Sequence, residues 1–397
     1  MDSGLKSTRL TVFLIVLLDV MGLGLIIPAQ PFLAESFGAT AFAVTQLGTI
    51  YSGMQFFLSP FWGSLSDRVG RRPVLLTTLM ITGVGHTIFA LSDSLLLLFI
   101  ARGLTGIGAA NISTAQAVLS DTHPPAERSR AMALVGAAFG LGFVLGPALG
   151  GSLFLLNHRA PALLAAVLSV VNLILVGCRV GETRSLSGNT PPVQRAGIIE
   201  LFRADGALRH LIVTTLFMMT AFSLMEQSVG LFIKSVWVAS TQIDGLQEAT
   251  WLTSIFLVVV GVTAVVVQGF LVRRWLISKA ETVLIRCGFV TISFTLALIP
   301  CLGWFGSYSL FLISGSLLAL GSGMFNPSML GLISLSSPPD KQGLGLAINQ
   351  SANALGRIIG PLFAGALFTH GTYLPFFVGS ALALAALATS WRLNITR

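Results

Sequence analysis

Gly63-Ser-Leu-Ser-Asp67-Arg68-Val-Gly70-Arg71-Arg72-Pro73 sets one acid, three arginines and two glycines between two long apolar segments. Arginines beside membrane-crossing segments hold a loop on one face of the bilayer, and a cluster this dense points to a mechanical role beyond solubility. The rest of the chain fits that setting. Of 397 residues, 54% are hydrophobic and 10% charged, against about 25% charged in a typical soluble domain. Apolar windows of about 20 residues recur, each long enough to cross a hydrocarbon core of roughly 30 Å as a helix. Short alternating strands, the mark of a membrane barrel, are not visible. An all-α membrane protein is expected, with twelve crossings at 10–34, 43–66, 73–92, 95–119, 129–155, 161–179, 208–235, 248–272, 282–300, 306–333, 341–370 and 373–392.

The formal net charge of +8 would, in a soluble protein, raise nucleic-acid binding. Its distribution gives another cause. With both termini cytoplasmic, the inner loops and helix ends hold most of the cations, among them Arg68, Arg71, Arg72, Arg128, Arg130, Arg179, Arg273 and Arg274. The opposite side holds only Arg159 and Lys234. That is positive-inside orientation, and the partner it implies is the lipid bilayer, with no nucleic acid. The first apolar segment runs past signal-peptide length without a small-residue cleavage site, so it is expected to be retained. Cys178, Cys287 and Cys301 are odd in number and lack C-x-x-C spacing, which speaks against disulfides and a bound metal.

A polar stretch from about Val180 to Asp205 carries Gly, Ser, Pro191-Pro192 and charge, the composition of a linker. It divides the chain into a first bundle over 1–180, a linker over 181–207 and a second bundle over 208–397. The halves echo each other: Pro124-Pro125, Gly146-Pro147 and Gly151 recur as Pro338-Pro339, Gly360-Pro361 and Gly365, each displaced by 214 (338 − 124, 361 − 147, 365 − 151). Internal repeats of this kind belong to two-bundle transporters with a site between the repeats.

Ionisable residues inside a membrane are expensive and mark functional paths or paired structural sites. Asp19 in the first span is one, either lining an ion or proton path or hydrogen-bonded to a neighbouring helix. Arg102 lies about 7 residues into the fourth span and either pairs inside or snorkels to the interface. Glu226 and Arg357 interrupt the seventh and eleventh spans. Asn111 could bind substrate or join helices, and Met225 with Gln227 would complete an adaptable pocket around Glu226 or simply pack. At the opening loop, Gly63 and Gly70 allow close backbone approach. Asp67 would sit against a helix N-terminus or a cation and latch one helix to another.

Several of these strings resemble known motifs. The opening loop resembles the loop between the second and third helices of the major facilitator superfamily, G-x-L-S-D-R-x-G-R-R-P. Leu18-Asp19-Val-Met-Gly22-Leu-Gly24-Leu-Ile-Ile-Pro28 resembles the first-helix signature of the drug/proton antiporters, the tetracycline efflux branch in particular. Arg102-Gly-Leu-Thr-Gly106 is similar to that group's R-x-x-x-G element, and Gly142-Phe-Val-Leu-Gly146-Pro147-Ala-Leu-Gly150-Gly151 to its antiporter motif, a mark of exporters. The resemblance implies gating by Gly63, Asp67, Arg68, Gly70 and Arg72, and proton coupling through Asp19 and Arg102. Glu226, which no motif covers, is a second candidate for proton coupling from the cost of its charge alone. It implies two pseudo-symmetric six-helix bundles, both termini in the cytoplasm, in the bacterial inner membrane.

The function expected is proton-coupled export of an amphipathic drug-like molecule, by a monomer whose partners are substrate, protons and lipid and which needs no cofactor. One departure bears on substrate: tetracycline exporters are expected to carry an acid within the ninth helix, and here that span has only Glu281 at its edge. Export of a siderophore-like metabolite is an alternative, and a non-transporting membrane sensor is the reading from a different class. An enzyme is not expected. There is no P-loop and no nucleophile elbow, and His86, His123, His158, His210 and His370 lack ligand spacing.

Overall fold

In hydrocarbon a backbone N–H or C=O finds no water, so a spanning segment must satisfy both internally, which a helix does. The computed structural model describes residues 2–109, 111–122, 125–182, 206–238, 243–271, 281–336 and 342–391, and every regular element among them is helical. The first half holds α1 (Asp2–Ile26), α2 (Gln30–Ser36), α3 (Ala41–Val69), α4 (Arg71–Leu91), α5 (Leu95–Gly108), α6 (Asn111–Thr122), α7 (Pro125–Leu156) and α8 (Ala160–Arg179). The second holds α9 (Gly206–Trp237), α10 (Ile243–Val266) with a π-helical end Val267–Leu271, α11 (Glu281–Trp304), α12 (Tyr308–Ser336), α13 (Gln342–His370) and α14 (Leu374–Ser390). Most of the linker, Pro124, Pro338-Pro339 and Arg273-Arg274 lie outside the described residues.

The twelve expected spans fall on these helices. Among the described residues, nine helices are long and apolar enough to cross a membrane, and Leu95–Gly108 and Leu374–Ser390 are shorter apolar helices. Two spans differ from expectation. The first breaks after Ile26, because Pro28 lacks an N–H and clashes with the preceding turn; Pro31 then opens α2 at a position where proline is tolerated. The fourth is split after Gly108 into α5 and α6, with Trp62 Nε1 of α3 donating to Ile107 O at 2.9 Å beside the break. Large apolar side chains such as Phe57, Leu96, Ile174 and Phe294 stand exposed along the helices, a surface suited to lipid.

By contact the chain forms two units. One comprises Met1–Ala39, Ile50–Val193 and Leu246–Val258, the other Thr40–Thr49, Gln194–Gly245 and Val259–Arg397. The first unit packs α1 on α7 and α8, and α4 on α5 and α8; the second repeats this with α9 on α13 and α14, and α11 on α12 and α14. Lipid tails are as apolar as leucine, so such helices hold together by close packing at small residues.

Close approaches fix the correspondence residue by residue. A methyl group at Gly142 would lie 2.8 Å from Val20 Cβ and 3.2 Å from Met21 N, and one at Gly356 2.8 Å from Met219 Cβ and 3.0 Å from Thr220 N. Gly146 meets Gly24 as Gly360 meets Ser223. α1 therefore maps onto α9 with a displacement of 199 (219 − 20, 220 − 21, 223 − 24), while α7 maps onto α13 with 214 (356 − 142, 360 − 146). Gly108 faces Thr78 O and Thr82 as Gly321 faces Gly288 O and Ile292. That maps α4 onto α11 by 210 (288 − 78, 292 − 82) and α5 onto α12 by 213 (321 − 108). The Gly83–Ser169 contact answers to the Ser293–Ser380 pair, where the hydroxyls are 3.0 Å apart, confirming 210 for α4 (293 − 83).

Candidate functional site

Glycines bring α5 close enough to its neighbours to bury a cation. A methyl group at Gly106 would lie 3.0 Å from Tyr51 Cα of α3, and one at Gly108 2.6 Å from Thr78 O of α4. Between these helices Arg102 is 5% exposed, its guanidinium 4.4 Å from the centre of the Tyr51 ring. Of the two placements open to Arg102, the interior one holds, and the aromatic face supplies a cation–π contact of about 2 kcal/mol where water is excluded.

Tyr51 also lines a small, partly open recess, about one water molecule in size, together with Asp19 and Leu23 of α1, Thr82 and His86 of α4, Thr105 of α5, and Ala109. Asp19 is half-buried. His86 is 3% exposed; its Nδ1 lies 3.1 Å from Ser169 Oγ of α8, and Arg102 acts on it electrostatically. Gly22 makes room for the ring, since a methyl group there would sit 3.2 Å from His86 Cε1. The recess thus joins Asp19 to the surroundings of Arg102, the two first-half residues expected to couple protons.

The repeat shows what the fold alone would put here. Asp19, Thr82, His86 and Thr105 correspond to Met218, Ile292, Leu296 and Leu318, all apolar and at most 2% exposed. The same scaffold position is polar in one unit and hydrocarbon in the other, so packing does not require the polar set. Glu226 is not the counterpart of Asp19, which is Met218.

The antiporter-motif glycines form a seam. Gly142, Gly146 and Gly150, at intervals of four, face Val20, Gly24 and Leu25 of α1, while Gly151 turns to Ser254 and Trp251 of α10. Pro147 belongs to the same seam, its Cδ 3.1 Å from a methyl group placed at Gly24.

At the charged loop, Asp67 takes the cationic partner, Arg71 Nη1 at 2.8 Å. Arg71 Nε also bonds Asp121 of α6 at 2.9 Å, and Nη1 donates to Ser66 Oγ at 2.6 Å. Arg71, outside the expected gating set, is thus the hub that ties α3, α4 and α6. The carboxylate at the N-terminus of α4 is that of Glu182, which accepts from Arg71 N at 2.9 Å and Arg72 N at 3.3 Å. Arg72 donates to Gly177 O at the end of α8, at 2.6 Å, and Arg68 is exposed. Gly70 has φ +105 and abuts the Glu182 carboxylate, so a side chain is excluded on both counts. Gly63, in contrast, faces open space, so the expected close approach is absent there. Arg71 is buried while Asp67 and Asp121 are partly exposed, so water can take over part of what the acids lose. Arg71→Gln should cost about 1–2 kcal/mol, read as a lower thermal unfolding midpoint in detergent, with Arg68→Gln near wild type.

In the second unit Met225 is buried, Glu226 half-buried and Arg357 exposed on α13. The Gln227 amide packs where a side chain at Gly48 would go, 2.6 Å from a methyl group placed there. Asn111 opens α6, and its side chain lies outside the described residues. Sequence reading passed over Tyr51, Thr82, Arg71, Glu182 and His86. Of these His86 had a legible signal, an ionisable group in mid-span, which the search for metal-ligand spacing discarded.

A sequence model described as the Major Facilitator Superfamily matches residues 12–275 and 232–396. The chain is 31% identical over 370 residues to the class G tetracycline resistance protein of Vibrio anguillarum, covering 92% of this chain and 91% of that protein. It is 29% identical over 381 residues to the class B tetracycline resistance protein of Escherichia coli, covering 94% and 91%. The crystal structure of the human organic anion transporter MFSD10 (TETRAN) superposes with a TM-score of 0.73 at 25% identity, covering 97% of this chain and 99% of that one.

Proposed function

The chain belongs to the Major Facilitator Superfamily, and from that premise we propose that it exports an amphipathic, drug-like small molecule from bacteria in exchange for protons. Its place is the cytoplasmic membrane, with both termini inside, as the arginine distribution favours. The observation that carries the reading is the recess of the first unit, which Asp19 and His86 line together with Tyr51, itself stacked on Arg102, while the matching place in the second unit is apolar. Buried ionisable groups that the scaffold does not need are the mark of a working site.

In the proposed cycle a proton on Asp19 cancels the charge that faces the Arg102 region, and its loss restores it. Alternation between those states biases a conformational equilibrium of the carrier. Entry of one proton across 100 mV releases about 2.3 kcal/mol, which sustains a drug gradient of roughly forty-fold. What favours export as the direction is the resemblance of the α7 glycine string to the antiporter motif; its packing on α1 recurs at Gly356 and Gly360 and belongs to the scaffold.

Tetracycline is the first probe because two of the relatives are tetracycline resistance proteins. The absence of an acid inside α11 beyond Glu281 suggests that the substrate range differs from theirs. Nothing favours export of a siderophore-like metabolite. The test is purified protein in liposomes with an imposed pH gradient. Uphill tetracycline accumulation that a protonophore collapses is expected, together with drug-stimulated proton movement. Drug flux that ignores the gradient would overturn proton exchange, and no flux across a panel of amphipathic drugs would overturn export.

A further inference from the structure

We propose that His86 is a second proton-accepting group of the recess, sharing a proton with Asp19, and that Ser169 is its positioning residue. The inference rests on the exporter reading for its purpose but not for its chemistry.

Three observations carry it. First, the imidazole lines the same recess as Asp19, and the recess has space for about one bridging water. Second, Ser169 Oγ lies 3.1 Å from Nδ1 and 3.0 Å from Ala165 O. A hydroxyl that gives its one proton to the carbonyl accepts from the ring, and in the proposed arrangement Nδ1 therefore carries the hydrogen of the neutral ring and Nε2 is left as the base. Third, the fold does not call for a histidine. The corresponding residue, Leu296, is fully buried and packs where a methyl group at Gly379 would lie, 3.2 Å from its Cδ1. The serine is common to both units, as Ser169 and Ser380, and it meets the helix of its imidazole or leucine neighbour in each.

The charged and titratable groups about the ring are Asp19 from α1, Tyr51 from α3 and Arg102 from α5, with Ser169 as the polar neighbour from α8. In the transfer, the O–H bond of the Asp19 carboxyl breaks and an N–H bond forms at Nε2, directly or through water. A neutral acid and neutral imidazole become a carboxylate and an imidazolium, and the reverse step restores them. No charge leaves the recess in this exchange. The proton can therefore wait on either group while Asp19 changes its charge.

The test reads the ring itself. Protein with 15N-labelled histidine is titrated between about pH 4 and 9, the His86 signal being identified by its loss in His86→Leu. The expected result is the Nδ1–H tautomer when neutral and a midpoint that moves by at least about half a pH unit in Asp19→Asn, as coupled sites require. A ring that keeps one state throughout, or a midpoint indifferent to Asp19→Asn, overturns the proposal. Because no substrate is needed, failure of wild-type drug export would count against the exporter reading alone. In liposomes His86→Leu should lose about tenfold of gradient-driven uptake, within the range of a lost acid–base group. Uphill uptake equal to wild type also overturns it.

Discussion

Asp19→Asn should lower gradient-driven export by about a hundredfold or more, the scale on which a proton-transfer group contributes, while leaving expression, unfolding temperature and passive drug exchange close to wild type. The substitution keeps shape and polarity and removes the ability to lose a proton. Asp19 is half-buried at a recess shared with His86 and Thr82, so the amide can be hydrogen-bonded there without an empty space. Its counterpart Met218 is 2% exposed, which shows that this level of the scaffold tolerates a neutral side chain. Loss of export with retained exchange separates a coupling role from a structural one. Unimpaired uphill export by the variant would remove Asp19 from the proton path.

The fold was open to reading because its cause is repetitive: long apolar runs, few charges and a polar interruption, with bilayer thickness setting the length of each piece. Breaks inside spans were harder. Pro28 was in plain view, but the division at Ala109 lies beside the close packing of Gly106 and Gly108 against α3 and α4, which composition does not record. At the site, Asp19 and Arg102 were found by the cost of charge in hydrocarbon. The same reasoning applied to His86 would have found the third member.

Tyr51 and Glu182 could not have been found that way. A tyrosine in a span and an acid just beyond one are ordinary, and their roles arise from contacts with residues far along the chain: the Arg102 cation with Tyr51, the start of α4 with Glu182. The sharpest lesson comes from the repeat. A displacement of 214 was visible in the Gly-Pro pairs, yet the displacement differs from helix to helix, 199 for α1 and 210 for α4. A single offset therefore could not pair Asp19 with Met218 or His86 with Leu296. Only the contacts supply those pairs, and they separate what the scaffold needs from what the function adds.

The glycine seam provides the second large effect. A methyl group at Gly146 would lie 2.7 Å from Gly24 Cα, 2.9 Å from Gly24 C and 3.0 Å from Met21 O. All three are backbone atoms, so no flexible side chain can yield and α1 itself must move. Overpacking of this kind costs about 1–3 kcal/mol, and Gly146→Val would exceed Gly146→Ala. Moving α1 also displaces Asp19, one residue from Val20, which Gly142 holds from the same seam. Export should therefore fall about tenfold for Gly146→Ala, given how steeply rate depends on placement, with a lower unfolding midpoint. Gly136 lies on the same helix with nothing within 4 Å of its added methyl group. Gly136→Ala gains helix propensity worth up to about 1 kcal/mol and should keep both export and stability. If Gly146→Ala matched Gly136→Ala in export and midpoint, the contact between α1 and α7 could not be what positions the carboxylate, and the motif would need a different physical explanation.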